Sequence, residues 1–157
     1  MEEIKEAFKK NKETIYILIL IVVTMILNFR NFISKGQSSI FSFVISILYV
    51  VLWFYIIQKT KKNFLFFEYS TFFWIITTLV SISYYFIYSI GYSGEYFAPA
   101  ALIFISEIYP IGDFLFPYSI YKIYAIMIIS IFFFLVSYLK FKEIESTEEK
   151  DELIKEP

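Results

Sequence analysis

Residues 91–117 read GYSGEYFAPAALIFISEIYPIGDFLFP, and their composition differs from that of the rest of the chain. This stretch holds three of the four prolines and three of the four glycines, together with the isolated carboxylates Glu95, Glu107 and Asp113. The residues on either side form long apolar runs with basic ends. The way in which this stretch lies against those runs therefore decides the fold, and any functional site is expected here.

The composition is that of a membrane protein rather than a water-soluble one. Hydrophobic residues make up 59% of the 157 residues, against about 45–50% in average proteins. The charged residues collect at the two ends and between the apolar runs, whereas a soluble fold would distribute them along polar faces. The chain has no cysteine and no histidine, which excludes disulfides, thiolate and imidazole metal sites and the usual catalytic triads. We therefore predict a non-enzymatic protein with no catalytic residues, no cofactor and no metal.

Four apolar segments are long enough, or nearly so, to cross a bilayer, which requires about 20 helical residues. We predict an all-α, four-transmembrane-helix bundle with spans at about 14–33, 38–58, 69–91 and 119–139. Residues 1–142 form a single membrane domain in this interpretation, and residues 143–157 form an acidic, mobile cytoplasmic tail. A cleaved signal peptide is disfavoured for the first segment, because acids precede it and no cleavage motif follows.

The distribution of basic residues orients the four spans, because cytoplasmic loops carry an excess of Lys and Arg. If the N-terminus is cytoplasmic, nine basic residues lie on the inner side and three on the outer side. The nine are Lys5, Lys9, Lys10, Lys12, Lys59, Lys61, Lys62, Lys140 and Lys142, and the three are Arg30, Lys35 and Lys122. We therefore predict a multi-pass protein of the cell membrane with both termini in the cytoplasm.

Residues 98–117 are long enough to be a fifth span, but three features disfavour this interpretation. Glu107 would lie near the bilayer centre, at a cost of about 2.5–3.5 kcal/mol. Pro110 and Gly112 would interrupt the helix, and the lysines after the last span would be placed outside. We predict instead one short helix over residues 99–109, which lies at the outer interface or re-enters the membrane. It ends at the Pro-x-Gly sequence, with the Glu107 carboxylate in water.

The three carboxylates of this stretch are the candidate functional residues. Glu95, Glu107 and Asp113 could hold a hard cation through oxygen ligands, although their spacing matches no known calcium-binding loop. The alternative is that they only keep an apolar segment in contact with water, as isolated surface acids do. If Glu107 turned into the bundle, Lys122 and Arg30 are the outer-side cations that would be able to pair with it.

Polar side chains inside the spans recur at helical spacing. Such residues are expected to face other helices rather than lipid and to form hydrogen bonds across the bundle. The expected sets are Thr24 and Asn28 in the first span, Ser39, Ser42 and Ser46 in the second, and Ser70, Thr77, Ser81, Tyr84 and Tyr88 in the third.

Two functions fit these features. The Ser and Thr stripes and the lack of charge deep in the spans favour an accessory or immunity-like protein, which acts through helix–helix association with a membrane-protein partner or a second copy of the chain. The alternative is a small oligomeric transporter or channel with residues 98–117 as a re-entrant element. The lipid bilayer is a partner in both cases. Nucleic acid is not expected to bind, because the basic residues lie only at the membrane edges.

Overall fold

The computed structural model describes residues 11–33, 38–61, 63–90, 98–117 and 121–153. Six helices lie within these residues: α1 Lys12–Ile33, α2 Ile40–Lys59, α3 Phe64–Ser89, α4 Ala98–Phe104, α5 Tyr109–Leu115 and α6 Tyr121–Leu153. Four of them, α1, α2, α3 and α6, are long and apolar enough to cross a membrane. The prediction of an all-α chain with four such helices is therefore confirmed.

Two helix boundaries differ from the predicted ones. α3 begins at Phe64 instead of residue 69, because the Asn63 side chain accepts a hydrogen bond from the Phe66 N–H (3.0 Å) and so stabilises an earlier start. α6 continues to Leu153. Part of the segment predicted to be a mobile tail (143–157) is thus helical, whereas its mobility and its location remain predictions.

The polar stripes predicted to contact other helices are buried at most of the described positions. Ser39 is exposed and caps the start of α2, Tyr84 is half-buried, and the Tyr88 side chain lies outside the described part of the chain. The buried members are Thr24 and Asn28 in α1, Ser42 and Ser46 in α2, and Ser70, Thr77 and Ser81 in α3.

Small hydroxyl residues line the contact between α3 and α6, the two helices that pack together most extensively. The Ser70 and Ser137 hydroxyls lie 2.8 Å apart, and the Thr78 hydroxyl donates to the Ser130 hydroxyl at 3.1 Å. Small side chains allow two helix backbones to approach closely, and their hydroxyls satisfy each other away from water. The stripe therefore contributes to packing within the chain.

Replacing Thr77 and Ser81 together by leucine is expected to lower the melting temperature in detergent. Both side chains are fully buried, so larger ones would overpack the bundle at a cost of about 1–3 kcal/mol. Ser89→Leu is the matched control. Like the hydroxyls of Thr77 and Ser81, the Ser89 hydroxyl donates to the backbone carbonyl four residues earlier, but Ser89 is exposed. Equal melting temperatures for the double variant and the control would mean that this face of α3 is not packed against the bundle.

An aromatic cluster fills the bundle where α2, α3 and α6 meet. The Trp53 and Trp74 rings form an edge-to-face pair with centroids 4.9 Å apart. Tyr49 packs edge-on against Trp53 at 5.4 Å, and Phe133 stacks on Trp74 at 4.7 Å. The Trp53 indole N–H donates to Ser70 at 3.2 Å, which satisfies its polar edge. Large aromatic rings therefore form this part of the bundle core.

The two short helices form a hairpin that inserts among the long ones. α4 lies against α3 and α1, and the Phe104 ring at its end lies 5.4 Å from the ring of Phe73, which is in the first half of α3. Residues 105–108 form a turn, and α5 then packs against α6 and α2. The prediction of one helix over residues 99–109 is therefore wrong, because residues 98–115 form two helices of seven residues each that are separated by the turn.

Pro110 lies at the start of a helix, not at its end. It occupies the first turn of α5, where the N–H that proline lacks would have no partner within the helix. Gly112 faces α6, and a Cβ at this position would collide with the backbone carbonyl oxygen of Lys122. The Pro-x-Gly sequence therefore marks the beginning of α5 and its closest approach to α6, and the predicted helix stop is wrong.

Candidate functional site

The turn between α4 and α5 is bound to α1 and α2 through one amide side chain. The Asn28 Nδ2 donates to the Ser106 carbonyl oxygen at 3.2 Å and to the Ser46 hydroxyl at 3.0 Å. One residue of α1 thereby holds the backbone of the turn inside the bundle. The interhelical hydrogen bonding predicted for Asn28 is confirmed.

Glu107 lies in this turn, and its side chain is buried. Only 1% of its surface is exposed, so the expectation that its carboxylate lies in water is wrong. The turn is drawn inward by Asn28, and the side chain next to that contact cannot reach the surface of the bundle. Neither carboxyl oxygen receives a hydrogen bond from another residue in the part of the chain that the structure describes.

The surroundings of Glu107 favour its neutral form. Burial raises the pKa of its carboxyl well above the usual value of 4.5, and the backbone N–H of the same residue offsets only part of this shift. The Tyr49 hydroxyl of α2 interacts electrostatically with the carboxyl. This hydroxyl and the Asn28 Oδ1 also have no hydrogen-bond partner among the described residues. Among the described residues, the turn thus brings together two buried side chains with unused hydrogen-bonding capacity, Glu107 and Asn28.

Asp113, in contrast, has partners on both carboxyl oxygens. Its Oδ1 accepts from the Lys122 ammonium at 3.0 Å, and its Oδ2 accepts from the Ser38 backbone N–H at 2.7 Å. Lys122 also donates to the Tyr109 hydroxyl at 2.8 Å. This network connects α5, α6 and the segment before α2. Lys122, which was predicted as a partner for Glu107 if that residue were buried, pairs with Asp113 instead.

The structure therefore gives the candidate carboxylates different environments. Glu107 is buried and has no partner among the described residues, Asp113 is buried and paired, and Glu95 lies outside the described residues. Within the described ranges, no group of three or more Asp, Glu, His or Cys side chains is arranged to hold a metal ion. The hypothesis of a hard-cation site built from these acids has no support there.

Tyr49 and Tyr109 lie near the candidate carboxylates but were not among the residues predicted from the sequence. Tyr49 had a detectable signal, because it continues the Ser42 and Ser46 face of α2 at a spacing of three to four residues. Tyr109 had none, because its contact with Lys122 depends on how α5 packs against α6.

Similarity to known proteins does not identify this chain. Comparisons with protein-family models, curated proteins and solved structures give no significant match. The functional interpretation therefore depends on the site itself.

Proposed function

We propose that this chain is a multi-pass protein of the cell membrane that binds and moves protons through Glu107, as a small oligomeric transporter or channel. One observation carries the proposal: a carboxyl that is 1% exposed and unpaired among the described residues lies in the turn between two short helices. Ionisable groups inside a membrane are costly and mark ion or proton pathways. Transporters commonly place such groups at breaks in helices near the middle of the membrane.

In this proposal residues 98–117 re-enter the membrane from the outer side. α4 and α5 have seven residues each, or about 10 Å of helix, so neither spans the hydrocarbon core of about 30 Å alone. The contact of Phe104 with Phe73, in the first half of α3, supports insertion to mid-depth. The hydrogen bonds from Asn28 to the Ser106 carbonyl oxygen and to Ser46 within α2 also support insertion of the turn.

A proton suits this site better than a metal ion. Hard cations need several oxygen ligands, and among the described residues the other buried acid, Asp113, is already paired with Lys122. A protonated carboxyl needs only one acceptor. The Asn28 Oδ1, which has no hydrogen-bond partner among the described residues, lies on the side chain that binds this turn and is available for this role.

Proton flux into liposomes tests the proposal. Purified protein is reconstituted with an internal pH-sensitive dye, and a potassium diffusion potential drives protons inward. We expect flux in the wild type and at least a tenfold loss in Glu107→Gln. Glu68→Gln is the control, because this acid is half-buried near the start of α3, away from the turn. Equal flux in the wild type and Glu107→Gln, or no flux above empty liposomes, would contradict the proposal.

The accessory or immunity-like role is the second proposal, and the exterior of α1 favours it. Of the four long helices, α1 is the least buried within the chain. Its exposed residues include Leu18, Val22 and Ile26, which would be available to a partner helix. Copurification of a stable membrane-protein partner, combined with the absence of proton flux, would support this role over transport.

Both termini are expected to be cytoplasmic, on the Lys and Arg count. The chain has no cysteine, so single cysteines can be introduced and labelled without a background. A cysteine at position 93 should react with an impermeant reagent in intact cells, and one at position 146 only after permeabilisation. Labelling of position 146 in intact cells would contradict this topology.

A further inference from the structure

A groove of about 600 Å³ runs between α1 and α3. Its volume is within the range of about 300–1,000 Å³ that is typical of ligand sites. The walls are apolar for most of their length, and Phe104 at the end of α4 also lines the groove. Polar groups lie at the opposite end, where Asn11 and Thr14 contribute to the lining. The groove is therefore amphipathic along its axis, as a site for an amphiphile must be.

The depth of the groove corresponds to one leaflet of a bilayer. Along α1 the lining extends from Asn11 to Ile21, and along α3 it extends from Leu65 to Ile76. At 1.5 Å per residue both walls are about 15 Å long, or half of the hydrocarbon thickness of about 30 Å. A partner transmembrane helix would need a groove of the full thickness. An acyl chain of a single lipid needs only half of it.

The polar end of the groove suits an anionic headgroup. The Thr14 hydroxyl is buried and has no hydrogen-bond partner among the described residues. The side chains of Lys12 and Lys61 are exposed, and the Lys12 ammonium lies 3.8 Å from the Glu13 carboxylate. The Asn63 amide donates to the Glu13 carboxylate at 3.0 Å. This bond holds the α2–α3 connection, which contains Lys61, against the start of α1.

We propose that the groove binds one phospholipid, with an acyl chain between α1 and α3 and an anionic headgroup at Thr14, Lys12 and Lys61. Lysines at a membrane surface attract anionic headgroups, and the apolar walls accept the chain. The acyl chain of the bound lipid reaches Phe104 and so contacts the α4–α5 hairpin, which carries Glu107. The inference does not rest on proton transport, because the groove and its charges are independent of the chemistry of Glu107.

Native mass spectrometry of the detergent-solubilised protein tests the acyl-chain site. Phosphatidylglycerol is added, and the fraction of protein that retains one lipid is measured. Leu18→Trp should reduce retention at least fivefold, because Leu18 lines the groove. Leu27→Trp is the matched control, since it is the same change at an exposed leucine of α1 outside the groove. Equal retention in the two variants would overturn the proposal.

Lipid selectivity tests the headgroup end. The wild type should retain phosphatidylglycerol in preference to phosphatidylcholine with the same acyl chains. Lys12→Gln combined with Lys61→Gln should reduce this preference on the order of tenfold and leave phosphatidylcholine retention unchanged. Equal retention of the two lipids by the wild type, or an unchanged preference in the double variant, would contradict an anionic headgroup site.

Discussion

Glu107→Gln is expected to make the protein more stable than the wild type at neutral and alkaline pH. The raised pKa of the buried Glu107 carboxyl means that the folded protein holds a proton that the unfolded chain releases. Folding is therefore favoured at low pH, and stability falls as the pH rises above the usual carboxyl pKa of 4.5. The fall is at most about 1.4 kcal/mol per pH unit, so two units change the free energy of unfolding by up to about 3 kcal/mol. Glutamine keeps the shape of the protonated acid and removes the titration.

The measurement is the melting temperature in detergent between pH 5 and pH 8 for the wild type, Glu107→Gln and Glu68→Gln. The wild type and Glu68→Gln should lose stability as the pH rises, and Glu107→Gln should follow a flatter profile. Other ionisable groups on the elements packed around the turn include Tyr49 of α2 and the Asp113–Lys122 pair with Tyr109. All of them are present in each protein, so their titration cancels in the comparison. Parallel profiles for all three proteins would show that Glu107 is not buried in its neutral form.

Asp113→Asn is expected to have the opposite effect, a loss of stability of about 3–5 kcal/mol. The Asp113 side chain is 4% exposed and that of Lys122 is 18% exposed, and removal of one partner from a buried ion pair leaves the other charge uncompensated. Two acids of the same hairpin thus give changes of opposite sign, because one has a cation beside it and the other has none among the described residues. Denaturation in mixed micelles measures both changes on one scale.

A double-mutant cycle separates the ion pair from a general effect on folding. Lys122→Met alone should also destabilise, because it leaves the Asp113 carboxylate buried with the Ser38 N–H as its one remaining partner among the described residues. The combined Asp113→Asn and Lys122→Met variant should be more stable than the sum of the two single changes predicts. Strict additivity would show that the two side chains do not interact in the folded protein.

The long helices could be predicted from the sequence because their signals are local. An apolar run of sufficient length defines each one, and the polar positions Asn28, Ser46 and Thr77 show which faces are buried. These inferences need only the composition and helical spacing of a single segment. They do not depend on how the segments are arranged.

The site could not be predicted in the same way, because it depends on contacts between segments. Sequence composition assigns an isolated acid such as Glu107 to water, and only the hydrogen bonds of Asn28 to Ser106 and Ser46 explain why its turn lies inside. The partner of Asp113 is nine residues further on in another helix. The two residues meet because Gly112 lets α5 approach the backbone of α6.

The aromatic cluster gives this protein a built-in optical probe. Both tryptophans of the chain belong to this cluster. Their ring centroids lie 4.9 Å apart at an interplanar angle of 70°, which is close enough for the electronic transitions of the two indoles to couple. Tyr49, which interacts with Glu107, lies 5.4 Å from Trp53 and 6.5 Å from Trp74. A change in the charge of Glu107 therefore alters the electric field at the only two indole fluorophores. The proposed proton binding at Glu107 is therefore expected to change the intrinsic emission and the near-ultraviolet circular dichroism, which can be measured with no label attached.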